Sequence, residues 1–516
     1  MRSKLSKTLA TRIRVGALAA LTVFALSACS GPSAGSPEPG SPSVKNFSLA
    51  IQTPISSMEP ANLNDGQAAY VWSAIYDTLL FVDHNGEVQP NGAKKWEYDP
   101  DKTRLTLVIR DDMKFSDGQP VTVADVVATL ERSRTAKGLQ APALSAVASV
   151  TATDDKTVVL QLSRPDPVLL IALSQGAGAI APAKALDNKD IVANPIGSGP
   201  YVLDKATVPG SSYVLTRRDD YWNLGAFPFP KLTFRVIADP TAQFNALQAG
   251  ELTAGQLQPQ QVAPMEAKGL KVTRLAGQAH LTMLLLDKKG ELVPALADER
   301  VRKAINMAFD REGIVKAILQ GAGKPTVQIF NPDSKEYNEK LEGYYKYDVQ
   351  GAKNLLAEAG YKDGFSVTMP STPYSTTFEP TVTQALGDIG IKVSWEPVPP
   401  QNTGAAIAGK KFPMVLYIDA LPAAQKMIGT YYGPNAYTNP FRYTDPELEK
   451  LVAATATADE AERVELSKKI AAFATEHALN APIAYMGGTI ATDPGVEFVD
   501  PKSAMGSNVR QYEQAK

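Results

Sequence analysis

Lys114-Phe115-Ser116-Asp117-Gly118-Gln119-Pro120-Val121-Thr122-Val123-Ala124-Asp125-Val126 packs more local folding instruction into thirteen residues than any other stretch of the chain. It reads as a strand end, a turn and a helix start. Asp117-Gly118 is turn chemistry because glycine takes positive φ without steric cost, and Pro120 fixes its own φ and cannot donate to a strand ladder. Thr122 and Asp125 have the spacing at which side chains satisfy the first free N–H groups of a helix. Val123, Val126, Val127 and Leu130 then fall on one face of that helix, which gives it a side to bury.

Upstream, Leu105, Leu107 and Ile109 alternate with Thr106 and Val108, a strand that leads into the turn. Trp72, Ile75, Tyr76, Leu79 and Leu80 recur at helical spacing, Asp83-His84-Asn85-Gly86 is a turn between short strands, and 46–52 is a first strand left through the loop 54–60. Downstream, 151–162 holds a hairpin around Asp154-Asp155. Asn194-Pro195-Ile196-Gly197-Ser198-Gly199-Pro200-Tyr201 cannot be helical and predicts a sharp reversal into a strand over 201–203. The apolar run 281–286 suits a strand buried on both sides. In 300–311, Val301, Ile305 and Phe309 share a helical face and Asp310 caps the next helix, so the charges there are structural. Strands near 365–369 and 391–395 flank a helix in a β-α-β unit, and Asp445-Pro446 opens a helical hairpin.

The N-terminus carries Arg2, Lys4, Lys7, Arg12 and Arg14 ahead of an apolar run over 15–26, the pattern of an export signal and too short to span a bilayer. It ends in Leu26-Ser27-Ala28-Cys29, which resembles the bacterial lipobox, where cleavage before the cysteine frees a thiol that takes up diacylglycerol. Two acyl chains meet the usual requirement for stable anchoring. Residues 30–43, rich in Pro, Gly and Ser, have nothing to bury and read as a flexible tether. Cys29 is the single cysteine, so there is no intramolecular disulfide and no further thiol chemistry. With 44% hydrophobic and 21% charged residues the whole chain has an ordinary globular composition, and a net charge of −2 leaves no electrostatic footprint for nucleic acid.

The inventory for catalysis is thin. His84, His280 and His477 occur singly, without metal-site spacing, and read as surface or packing histidines. There is no Gly-x-Ser-x-Gly elbow, and Gly321-Ala322-Gly323-Lys324-Pro325-Thr326 lacks the first glycine and the hydroxyl residue of a phosphate loop. No metal, no cofactor and no catalytic residue is expected. Paired carboxylates have no fixed spacing, so a secreted hydrolase on a small polar substrate stays open, as does a ligand sensor not coupled to transport.

The 114–126 stretch, the Gly-Ser-Gly-Pro-Tyr segment and 300–311 together resemble the family 5 extracytoplasmic solute-binding proteins, the peptide- and nickel-binding class of ABC importers, and the resemblance covers nearly all of 45–500. It implies an α/β fold of the two-lobed periplasmic-binding-protein type (class II, cluster C) with a subdomain inserted in lobe 1 and a two-stranded hinge. The expected organisation is a signal over 1–28, a lipidated tether over 29–44, a lobe 1 core from 45–70, 194–284 and 480–516, an inserted subdomain over 71–193 and lobe 2 over 285–479. The implied function is capture of a small solute, a di- or oligopeptide or another amine-bearing compound, between the lobes. Delivery would be to a membrane permease driven by a separate ATPase, from a lipid-anchored monomer on the outer face of the cell membrane.

Peptide-binding members commonly place an acidic residue after a tryptophan to pair with the peptide's α-amino group. Asp419 matches that acidic position, whereas Leu416 stands in place of the tryptophan and Tyr417 lies one residue off. A strand-end aspartate capping a turn is the alternative reading of Asp419. By the same resemblance Ser56 and Ser57 sit on the loop that faces ligand, and Tyr374, Tyr431, Tyr432, Asn435 and Tyr437 lie in cleft-facing regions.

Overall fold

In the computed structural model, residues 43–501 and 507–516 are described, apart from positions 373, 400, 401 and 435; the export signal, Cys29, Asn435 and nearly all of the tether lie outside the described residues. The 114–126 stretch folds as its residues dictate. Gly118 adopts φ +84°, the helix runs over Val123–Thr135, and the Thr122 N–H and hydroxyl both donate to Asp125 Oδ2, at 3.0 and 2.7 Å. Val126 and Leu130 are buried. The turn then docks on a second glycine-rich motif: Ser116 N–H donates to Gly197 O at 2.9 Å, and the buried Arg218 guanidinium donates to Lys114 O, Phe115 O and Gly199 O at 3.0 to 3.2 Å. A Cβ on Gly197 would lie 2.0 Å from Ile75 O, so the reversal needs glycine to pass beneath the end of the helix Ala69–Ile75.

The central sheet follows the order Met414–Ala420, Lys271–Leu285, Asn480–Thr492, Ala254–Gln256, Asn46–Ile51, Lys231–Val236, Ser212–Arg217, Tyr201–Leu203, with Gly323–Pro325 added beside Asn480–Thr492. Asn46–Ile51 is parallel to its neighbours on both sides, and Lys271–Leu285 is antiparallel to both of its own. One end of the sheet packs into a core that includes Phe47, Phe229, Phe234 and Tyr512. The other end is buried on both faces, against Leu281, Ile305, Phe309 and Leu386 on one side and Val415, Met427, Ile428 and Tyr485 on the other. The parallel pair Phe365–Ser371 and Ile391–Pro397 with the helix Glu379–Asp388 completes the expected β-α-β unit. These are two lobes of mixed α/β structure, joined by continuous strands.

A separate four-stranded antiparallel sheet, Ala93–Tyr98, Arg104–Ile109, Thr157–Leu162 and Val147–Ala152, forms a subdomain apart from the central sheet. Its own core runs from Leu79 to Ile180, shorter than the expected 71–193. The difference has a packing cause, since Val71, Trp72 and Ile75 turn their helix toward the first lobe's core. The subdomain reaches lobe 2 through Lys335 to Glu87 at 2.6 Å and Lys102 Nζ to Ala458 O at 2.9 Å.

The passage between lobes is also displaced from 284/285. Leu275 and Ile490 belong to the first core and Leu281 and Ala484 to the second. Between them the register jumps from Leu275↔Gly488 to Ala279↔Met486, so four steps on one strand meet two on the other, a bulge that bends the pair. A Cβ on Gly487 would lie 2.5 Å from Leu275 O. Only a glycine seats the bulge there, and the crossing is set by this irregularity rather than by the apolar run.

Candidate functional site

Asp419 is the penultimate residue of the edge strand Met414–Ala420, and its Cα pairs with His280 of the crossing strand. Side chains alternate across a strand. Met414, Leu416 and Ile418 therefore enter one core, while Val415 and Tyr417 enter the other, on the same face as Asp419. The one-place offset of the aromatic residue thus puts Tyr417 beside the carboxylate, and Leu416, at the tryptophan's position, on the opposite face.

The helix Ala424–Tyr431 returns over this face. Its last residue, the buried Tyr431, donates to Asp419 Oδ2 at 3.0 Å and lies 3.0 Å from His280 Nε2. Tyr417 and Tyr437 share a hydroxyl contact of 2.6 Å. Asp419 Oδ1 accepts from Ala420 N–H at 2.9 Å. Burial pushes the Asp419 carboxyl above its ordinary range, opposed by the Tyr431 hydroxyl, the Ala420 amide and the charge of Lys426. Burial pushes His280 down to about 3, so the imidazole is neutral at physiological pH. Tyr431 is raised far above a free phenol by burial and by the neighbouring carboxylate, and remains a donor.

The interlobe cleft opens where this strand ends. A cavity of about 390 Å³ is lined by Gln256 and Leu275 from the first lobe, Gln278 at the crossing, and Asn331, Ala420 and Leu421 from the second. A larger cavity of about 510 Å³ beside Arg311, Tyr337 and Tyr347 is formed by lobe 2 alone. Closure of two lobes cannot change a cavity built from one of them, so the interlobe cleft is the candidate site.

Of the residues singled out in the sequence, Asp419 and Tyr417 meet in one cluster with Tyr431 and Tyr437. Tyr432, the residue just past the helix, is buried in the lobe 2 core that Tyr431 also enters; the hydroxyl that meets Asp419 is that of Tyr431. Tyr374 is exposed. Ser57 Oγ accepts from Glu59 N–H at 3.1 Å, in a loop fixed to lobe 1 by Tyr213 OH on Ile55 N–H and Tyr76 OH on Met58 O; Ser56, in the same loop, is exposed. Asn435 and Cys29 lie outside the described residues. None of the expected residues among those described lines the cavity itself, whose wall begins one residue beyond Asp419. Sequence reasoning missed Gln256, Gln278 and Asn331, which carry no motif, and set His280 aside because a solitary histidine has no spacing to read. Gly487-Gly488 did carry a signal, since paired glycines inside a strand mark a bulge or close backbone approach.

Comparison with known proteins agrees with this architecture. The model of bacterial extracellular solute-binding proteins, family 5 Middle, matches residues 87–445. The glutathione-binding protein GsiB of Salmonella typhi is 28% identical over 378 residues, 71% of this chain and 72% of that protein. Among solved structures, the binding protein AgaA of A. tumefaciens R10 in complex with agropinic acid is 25% identical with a TM-score of 0.72, covering 91% of this chain and 99% of AgaA. The ABC transporter-associated protein DppA of Helicobacter pylori, in complex with the peptide STSA, has a TM-score of 0.74 at 22% identity, covering 91% and 98%.

Proposed function

The chain belongs to the bacterial extracellular solute-binding proteins of family 5, and from that premise we propose that it binds a small amine-bearing solute, a di- or oligopeptide foremost, in the interlobe cleft with Asp419 pairing the ligand's ammonium. As the binding component of an ABC importer it hands that solute to permease subunits powered by a separate ATPase, acting as a monomer held by the lipidated Cys29 to the outer face of the membrane. The observation that carries the ligand class is the half-buried Asp419 carboxylate beside the cleft, which accepts from one tyrosine hydroxyl and one backbone amide. A carboxylate withdrawn from water is costly unless a charge-assisted partner completes it. The peptide reading also draws support from GsiB, since glutathione is itself a small amine-bearing peptide.

Isothermal calorimetry with a panel of dipeptides and their N-acetylated forms tests this reading. Wild-type protein is expected to bind at least one free-amine peptide stoichiometrically, without turnover, and to reject its acetylated form. Asp419→Ala should abolish that binding and leave the melting temperature nearly unchanged. Equal affinity in Asp419→Ala removes the carboxylate from the site, and product formation favours a hydrolase. The anchor has its own test: Cys29→Ser should move the protein from the membrane fraction to the soluble one, and continued membrane association contradicts the lipobox.

A further inference from the structure

Asp419 is held from outside its own strand. Tyr431, from the helix behind it, stands between the carboxylate and His280 at 3.0 Å from each. We infer that His280 and Tyr431 form a positioning relay for Asp419, in which His280 Nε2–H donates to the Tyr431 oxygen and the Tyr431 hydroxyl donates to Asp419 Oδ2. The inference rests on the reading of Asp419 as the ammonium partner only for its consequence in binding; the relay itself is a property of the free protein.

Proton counting fixes the directions. A phenol has one hydroxyl proton, and an ionised carboxylate can only accept. The Tyr431 proton therefore goes to Asp419, and the phenolic oxygen turns a lone pair to His280, whose Nε2 must carry the proton. A neutral imidazole protonated at Nε2 is bare at Nδ1. Nδ1 of His280, fully buried, is the ring atom left without a partner among the described residues. An unpartnered ring nitrogen in a core carries a desolvation cost. An imidazole kept there despite the cost, with its single donor aimed at Tyr431, locks the phenol from behind so that its hydroxyl cannot turn to solvent. One oxygen of Asp419 is thereby fixed from the protein side, and its remaining lone pairs are left to an incoming donor.

Among the described residues, the groups facing Asp419 are few. From the helix Ala424–Tyr431 come Tyr431 and Lys426, from its own strand Tyr417, from the segment beyond the helix Tyr437, and from the crossing strand His280. Of these, Lys426 alone carries charge at neutral pH, so an effect of Tyr431 on Asp419 is not masked by other titrations.

The test is a ¹³C NMR titration of the side-chain carboxyls in the ligand-free protein, with Asp419 assigned by its loss in Asp419→Asn. Tyr431→Phe keeps the ring and removes only the hydroxyl, and should move the Asp419 midpoint upward in pH. His280→Leu should move it upward by less, and His280→Gln, whose amide can donate to Tyr431, should restore it. An unmoved midpoint in Tyr431→Phe overturns the relay; movement in Tyr431→Phe with none in His280→Leu overturns the part given to His280. Calorimetry with alanyl-alanine across pH 4 to 8 then reads the consequence: Tyr431→Phe should bind about tenfold more weakly, as expected for one hydrogen bond to a charged group, with the acid limb of binding moved up in parallel. If Asp419→Asn binds alanyl-alanine as wild type does, the ammonium reading fails while the titration still decides the relay.

Discussion

Arg302 and Arg311, and Asp419 with its tyrosines, are charged groups withdrawn from water within the same lobe, but their hydrogen bonds end differently. Arg302 donates to the carbonyls of Leu296, Ala297, His477 and Ala478, and Arg311 to those of Thr326, Pro482 and Asn306 and to the Asn306 side chain. Nearby, the buried Asp287 accepts three backbone N–H groups, from Glu291, Leu292 and Val293, at 2.7 to 2.8 Å. Nearly all of their partners are main-chain atoms, for the two arginines on segments both near and far along the chain, so these side chains pin the backbone in place. Asp419 sits at a strand end beside the cleft, each of its oxygens accepting one hydrogen bond, from Tyr431 and from Ala420 N–H. Completed networks hold the lobe's shape, and the carboxylate beside the cleft has lone pairs to spare for the ammonium partner proposed above.

The contrast makes graded predictions. Arg311→Met leaves three buried carbonyls unpaired and should cost on the order of 3–5 kcal/mol in urea unfolding; a loss under about 1 kcal/mol would mean that the guanidinium is not a structural pin. Lys288 is a buried cation of the same lobe that is incompletely served, its ammonium donating to Leu285 O at 2.7 Å, and burial, with Arg302 nearby, pushes it down to about 7. The unfolded chain holds that proton up to a lysine's ordinary range near 10.4. Between about 7 and that value the unfolded state binds more protons, so stability should rise with pH, by at most roughly 1.4 kcal/mol per unit. Below about pH 7 the cost of the charged form is carried in full. Lys288→Met should flatten that rise, and an unchanged slope assigns it to another group. The smallest effect is expected at the half-exposed Tyr437: Tyr437→Phe should change stability by less than about 1 kcal/mol, because water replaces Tyr417 as partner. A larger loss would place the tyrosine pair with the completed networks.

Much of the fold was legible because its instructions are local. The capped helix after Pro120, the glycine reversal before Tyr201, the helix pair around Asp310 and the β-α-β unit of lobe 2 each stand within a few residues of their cause. The edges of the lobes were not, because a helix such as Ala69–Ile75 joins whichever core its apolar face meets, and that depends on segments more than a hundred residues away. Beside the cleft, Asp419 and Tyr417 were legible as neighbours on one strand face. Tyr432 could not be told from Tyr431, since adjacent residues of one type are separated only by the direction the folded backbone gives them.

Residue order alone carried the resemblance that implies the family and the two-lobed α/β class, and it specified the local turns, caps and periodic elements and a carboxylate near the end of one strand, since such signals act over short distances along the chain. The tertiary structure decided where the strands cross between lobes, through a bulge seated on Gly487. It also decided what surrounds Asp419, because His280, Tyr417 and Tyr431 are brought together by strand register and a returning helix. Register and helix direction are set by packing of the whole lobe, and no stretch of sequence carries them.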